Sequence, residues 1–211
     1  MTLRPVTDEA ERPAPVPTTP KSLRFVELSN AAMTALLDDD LARASAEAGV
    51  ALTEYFLTDR AKWVWRYRID QLASDPDSAG WLPQAVTAGP KGTVVGYAGF
   101  HGPPDEAGMV EIGYSVDPDH RRQGYARAML AALLERTVTE ARVRTARVTI
   151  SPDNAASLAT VSGFGFKEVG EQWDEEDGLE LIFELRPDQA AAPQAVGHGS
   201  VGEGGHRPAR R

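Results

Sequence analysis

The sequence predicts a mixed α/β domain in which one sheet carries helices on its faces. Three observations support that prediction. Residues 109–150 read as strand, helix, strand, a unit that sets its two strands side by side and parallel. Apolar runs flank the turn signals Gly89-Pro90-Lys91-Gly92 and Asp177-Gly178, so antiparallel hairpins accompany the parallel pair. Stretches with apolar residues at i, i+3 and i+4 mark helices with one buried face.

In chain order, Leu23 to Leu28 alternates as a strand. Ser29 or Asn30 caps a helix over Ala31 to Leu37, and Asp38-Asp39-Asp40 caps another over Leu41 to Ala48. Thr58 or Asp59 caps a third, Arg60 to Ala73, whose Trp63, Trp65 and Tyr67 read as packing anchors against the sheet, with the lining of a substrate pocket as the alternative for some of them. Strands follow over Trp81 to Ala88 and Thr93 to His101. The second is apolar on both faces and belongs near the centre. Met109 to Val116 is its antiparallel neighbour, with Val110, Ile112, Tyr114 and Val116 on one face and Met109, Glu111, Gly113 and Ser115 on the other. The helix Gly124 to Glu140 buries Met129, Leu130, Leu133, Leu134, Val138 and Ala141. Strand Ala146 to Ile150, a helix from Asn154 to Ser162, and the hairpin strands Phe166 to Trp173 and Leu179 to Leu185 complete the order.

Length and composition set the outer limits. The 211 residues fit one domain over 23–187, with a proline-rich disordered tail at 1–22 and a Gly, Ala, Pro, His and Arg tail at 188–211. With 42% hydrophobic residues the chain can bury a core, and a net charge of -9 argues against general nucleic-acid binding. There are no cysteines, hence no disulfide framework and no thiol nucleophile. No apolar run approaches a membrane span and the N-terminus has no signal core, so a cytoplasmic protein without membrane partners is expected. No His-x-x-x-His pair occurs, and His198 and His206 lie in the glycine-rich tail, so no metal is expected.

The chemistry concentrates after the Met109 to Val116 strand. Asp117-Pro118-Asp119-His120 turns the chain, and Arg121-Arg122-Gln123-Gly124-Tyr125-Ala126 leads into a helix. The unpaired N–H groups of a helix start, with the helix dipole, attract anions. Small Gly124 and Ala126 let a phosphate approach the backbone, and Arg121 and Arg122 add positive charge. No Lys-Ser/Thr pair follows Gly124, as a P-loop requires, and one glycine does not make the three-glycine dinucleotide fingerprint. Downstream, Asn154-Ala155-Ala156-Ser157 opens a segment that closes in Gly165-Phe166.

Arg121-x-x-Gly124-x-Ala126, followed one strand and one helix later by Asn154-x-x-Ser157, resembles the acyl-CoA machinery of the GCN5-related N-acetyltransferase (GNAT) superfamily, closest to its RimJ/RimL-like branch. The resemblance implies a mostly antiparallel sheet of about six to seven strands with a central splayed parallel pair and about four flanking helices. It implies acetyl-CoA as co-substrate, held by Tyr114, Ser115, Val116, Arg121, Arg122, Gln123, Gly124, Tyr125, Ala126, Asn154 and Ser157. It implies an amine acceptor and a monomer or homodimer.

Acetyl transfer to an amine needs a proton acceptor, oxyanion contacts and stabilisation of the leaving thiolate. Glu111, a carboxylate in an otherwise apolar strand beside small residues, is the candidate base. The family's usual acid is a Tyr seven residues after the Asn. Val161 stands there instead, which leaves Ser157 as a hydroxyl donor at the thiolate and leaves open a CoA-binding module without turnover. The acidic groups Asp38 to Asp40 and Glu171, Asp174, Glu175, Glu176, Asp177 and Glu180 would favour a cationic acceptor if they border its site.

Overall fold

The computed structural model describes residues 21–175 and 178–189. Seven strands form one sheet in the order β1-β2-β3-β4-β5-β7-β6. They are β1 Leu23–Val26, β2 Gln84–Ala88, β3 Thr93–Phe100, β4 Met109–Val116, β5 Thr145–Ile150, β6 Lys167–Asp174 and β7 Gly178–Leu185. All neighbours run antiparallel except β4 and β5. Five α-helices accompany the sheet among the described residues, α1 Asn30–Leu37, α2 Leu41–Ala48, α3 Asp59–Ser74, α4 Tyr125–Thr139 and α5 Ala155–Val161, one more than the approximate four expected.

Two cores lie on the two sides of the sheet. Met129, Leu130, Leu133 and Leu134 of α4 pack with Val110, Ile112, Val148 and Ile150. Leu36, Phe56, Ala61 and Trp65 pack with Ala85, Val94 and Tyr97. Tyr97 meets Phe56 and Trp65 edge-on at 5.6 and 5.0 Å and stacks on Tyr55 at 5.8 Å, so α3 and the short 3-10 turn before it are fixed over β3. Such aromatic contacts contribute about 0.5–1.5 kcal/mol each beyond the area they bury.

Ser29, Asp40, Thr58 and Asn154 each accept a hydrogen bond from the first turn of α1, α2, α3 and α5. The expected α4 starts one residue late, at Tyr125, because the φ of 81 at Gly124 is left-handed and cannot be helical. Two expectations are corrected. Residues Pro76–Trp81 form a 3-10 turn, and the strand starts only at Gln84, because Pro83 has no N–H to give a ladder. Trp81 instead turns into the core against Phe100 at 5.3 Å. On α4, Thr137 and not Val138 is buried, Val138 is 59% exposed, and Ala141, also expected in the buried face, is exposed beyond the end of the helix. Seven residues after Leu130 is two turns at 3.6 residues per turn, and the Thr137 hydroxyl donates to the Leu134 carbonyl, so its burial leaves no unpaired group.

Both expected tails, apart from residues 21, 22, 188 and 189, lie outside the described residues, as do Glu176 and Asp177. Among the described residues, no helix is long and apolar enough to cross a membrane.

Candidate active site

The parallel ladder is short. Met109, Val110 and Glu111 pair with Thr145, Ala146 and Arg147, and beyond Glu111 the two strands part. Peptide groups alternate direction along a strand. The His101 N–H donates to the Glu111 carbonyl and the Asp117 N–H to the Val95 carbonyl, so odd-numbered residues of β4 turn their peptide groups to β3. Those of Ile112 and Tyr114 therefore face the gap toward β5. Side chains alternate as well. Glu111, Gly113 and Ser115 face α3, where the Ser115 and Tyr55 hydroxyls share a hydrogen bond. Tyr114 and Val116 face α4 and its core.

On the α4 side lies a cavity of about 570 Å³ lined by Tyr114, Ser115, Val116, the loop residues His120, Arg121, Arg122 and Gly124, and Tyr125, Ala126, Arg127, Asn154, Ser157 and Thr160. The loop has a built shape. Buried Asp117 accepts from Thr53 at 2.6 Å and from the Asp119 N–H at 3.1 Å. Arg121 Nε donates to the Val116 carbonyl at 3.1 Å, and Gln123 Nε2 to the Asp119 carbonyl at 3.3 Å. Arg122, with φ 57, and Gly124, with φ 81, are both left-handed, a backbone form that turns successive N–H groups into an anion-binding concavity. Gly124 has no side chain to cap α4, so the first-turn N–H groups stay available to a phosphate. Lys21, just before β1, adds a cation over the Tyr125 ring at 4.2 Å.

A second cavity of about 450 Å³ opens on the α3 side. Its floor holds Glu111, with Thr149 donating to Oε1 at 2.7 Å and His101 Nδ1 3.4 Å from the same oxygen. His101 is held in turn. Arg68 and Gln71 donate to its carbonyl at 2.8 and 3.0 Å, and Gly113 leaves room for its ring, since a Cβ there would lie 2.9 Å from Nε2. The imidazole is half open to the cavity, yet enclosure by the cavity walls lowers its pKa below 6.5, aided by Arg68 and Arg60 and opposed by Glu111 and Asp174. It is therefore neutral at neutral pH and can donate from Nδ1 to Glu111. Burial also lowers Arg68, to about 10, which leaves it charged.

The structure brings together most residues expected of the site. The α4-side cavity takes in Tyr114, Ser115, Val116, Arg121, Arg122, Gly124, Tyr125, Ala126, Asn154 and Ser157, while Gln123 braces the loop without lining it. Asn154 caps α5 through the Ser157 N–H at 3.1 Å and lines both cavities. Val161 is buried in the core, away from either cavity.

The aromatic anchors divide. Trp65 is fully buried, whereas Trp63 and Tyr67 are 41% and 52% exposed, stack on each other at 5.6 Å and line the α3-side cavity. Of the acidic groups, Asp174 and Glu180 line that cavity, with Glu180 accepting from Gln172 at 3.0 Å. Asp38 to Asp40 do not. Asp40 caps α2, and Asp39 and Asp38 pair with Lys62 and Arg43. His101, Arg68 and Thr149 were missed as site residues. The one sequence signal for His101 was its position at the end of the strand paired with β4.

A strand that parts from its parallel neighbour, followed by a left-handed loop and a capless helix, defines the acetyltransferase class of α/β protein, and the sequence profile agrees. The acetyltransferase (GNAT) domain profile matches residues 23–167, and the chain belongs to that family. An uncharacterized N-acetyltransferase of Bacillus subtilis, YjdG, is 36% identical over 73 residues, which is 35% of this chain and 44% of that protein. The chain thus spans less than half the length of that relative in the match. Among solved structures, the dodecameric spermidine N-acetyltransferase of Vibrio cholerae has a TM-score of 0.56 at 12% identity, covering 79% of this chain and 95% of that one. RimL, a ribosomal L7/L12 alpha-N-protein acetyltransferase solved with coenzyme A, has a TM-score of 0.55 at 16% identity, covering 78% and 93%. At those identities the likeness is one of fold.

Proposed function

We propose that the protein transfers the acetyl group of acetyl-CoA to a primary amine by direct attack in a ternary complex. One observation carries the reading. The anion-binding cavity on the α4 side and the carboxylate-bearing cavity on the α3 side share Tyr114, Ser115, Asn154 and Ser157 at the split between β4 and β5. With the pyrophosphate on the Arg121 to Ala126 loop, the acetyl thioester at the far end of the pantetheine arm therefore meets there an amine held beside Glu111.

Each requirement of the reaction has a group to serve it. The Tyr114 N–H serves the thioester carbonyl and the Ile112 carbonyl the pantetheine arm, because the ladder to β5 ends at Glu111 and Arg147. Glu111 accepts the ammonium proton, directly or through one water, with Thr149 and His101 fixing its carboxylate. Amine and thioester are held on either side of one strand, which removes most of the entropic cost of bringing them together.

The acceptor enters over Trp63 and Tyr67, whose exposed ring faces suit an ammonium or the apolar chain carrying it. The solved neighbours act on a polyamine in one case and a protein N-terminus in the other, and both classes are candidate acceptors here. Because acetyl-CoA is a cytoplasmic metabolite, the cytoplasm is the expected compartment.

Thiol release from acetyl-CoA, measured against peptide N-termini, polyamines and aminoglycosides, tests the reading. Turnover with one amine class supports it and identifies the acceptor. Acetyl-CoA binding without thiol release from any amine overturns it.

A further inference from the structure

The reaction as drawn has a proton acceptor, but at the departing sulfur the sequence offered only the weakly acidic Ser157 hydroxyl, because the position where the family carries its tyrosine is Val161, buried in the core. The sulfur must sit where the two cavities meet, since the phosphates lie on one side of β4 and the amine on the other. Four residues line both cavities there, Tyr114, Ser115, Asn154 and Ser157. The Ser115 hydroxyl is shared with Tyr55, and Asn154 Oδ1 takes the Ser157 N–H. That leaves two hydroxyls. The Tyr114 hydroxyl is buried and has no hydrogen-bond partner of good geometry among the described residues, although the Ser157 and Thr160 hydroxyls stand beside it. A buried donor without a partner costs about 1–3 kcal/mol, so its retention points to a ligand atom that it serves.

Resting on the acetyltransferase reading, we propose that Tyr114, from strand β4, is the hydrogen-bond donor to the departing CoA sulfur. It takes the place left by Val161 and acts from the opposite face of the strand to Glu111. As the tetrahedral adduct collapses, the carbon–sulfur bond breaks and its electron pair stays on sulfur. One ammonium proton has gone to Glu111 before attack, the second nitrogen proton passes to solvent as the amide forms, and the Tyr114 hydroxyl shortens its bond to the new thiolate without losing its own proton. Burial raises Tyr114 above 10, with the Ser157 and Thr160 hydroxyls opposing, and a thiol ordinarily ionises near about 8.5. Full proton transfer from the phenol would thus run uphill, and the sulfur takes its proton from solvent on release. Ser157, an aliphatic hydroxyl and weaker acid, supports the phenol from α5.

The test uses the full-length protein with its best amine. Tyr114→Phe keeps the ring and removes the donor. The expected result is a kcat lower by about 10- to 100-fold, the loss of one hydrogen bond to a charged atom, with the acetyl-CoA Kd and amine KM held within about two-fold. Replacing Tyr114 with a fluorinated tyrosine, a stronger donor, is expected to raise kcat. A purely structural role would not respond to phenol acidity. Unchanged kcat in Tyr114→Phe, a loss confined to acetyl-CoA affinity, or a kcat indifferent to fluorination each overturns the role of Tyr114. Failure of the wild-type protein to release thiol with any amine instead overturns the acetyltransferase reading on which the proposal stands.

Discussion

The two sides of β4 are built from different material. On the α4 side the site is mostly backbone. Left-handed Arg122 and Gly124 and the first turn of α4 turn N–H groups toward an anion, with Asp117 bracing the loop from beneath. On the α3 side it is mostly side chain. Glu111, His101, Thr149, Trp63 and Tyr67 come from four separate elements. Backbone recognises what every acyl-CoA shares, whereas side chains can be exchanged one at a time to suit an acceptor. The difference predicts that acetyl-CoA affinity and acceptor preference can be altered separately.

Substitutions on each side can break that separation or sharpen it. The largest effect is expected from Glu111→Gln, a drop in kcat of about 10²- to 10⁴-fold with the acetyl-CoA Kd held, read by thiol release and calorimetry. An equal loss of acetyl-CoA affinity would merge the two sides. Next comes Gly124→Val. A β-branched residue at φ 81 is strained, and the acetyl-CoA Kd should rise by about 10-fold or more while relative rates across amines keep their order.

His101→Asn should lower kcat/KM by about 10-fold at neutral pH by removing the imidazole that stands 3.4 Å from the Glu111 carboxylate. The pH profile gives the sign. Burial holds the His101 pKa below 6.5, so forming the imidazolium on acidification below that value adds to the loss of activity in the wild type, and the variant should lose that contribution. The smallest effect belongs to Trp63→Ala, a rise in amine KM of about two- to five-fold with kcat held, the scale of an exposed cation–π contact. A change in acetyl-CoA Kd there would count against the division.

The same contrast governs what the sequence disclosed. The loop was legible because its requirements fall within six residues, from Arg121 to Ala126, and small residues at fixed spacing leave a pattern. Asn154 and Ser157 were legible for the same reason, as were most strands and the parallel crossing. His101 read only as the end of a strand. Its place beside Glu111 comes from the β3–β4 register, which brings the His101 N–H to the Glu111 carbonyl. Arg68 and Thr149 reach the cluster from α3 and β5, at distances in sequence that no local pattern encodes.

Trp63 and Tyr67 could have been separated from Trp65 by helical geometry alone. Residues two apart point to nearly opposite sides of a helix, and residues four apart share one. The strand expected to begin at Trp81 failed on a single atom, the hydrogen that Pro83 lacks.

The parting of β4 from β5 after Glu111 has a thermodynamic consequence. A ligand amide that bonds to Ile112 and Tyr114 continues a ladder the chain begins and does not finish, so part of the sheet's cooperativity is lent by a small molecule. Folding and occupancy are then linked. The melting temperature should climb with acetyl-CoA concentration, by about 2.7 kcal/mol of added stability at a hundred times Kd. Amide exchange at Tyr114 should slow more than at Asp117, whose N–H is already given to the Val95 carbonyl. In a cell, the level of acetyl-CoA would thereby set the protein's resistance to unfolding and proteolysis as well as its rate.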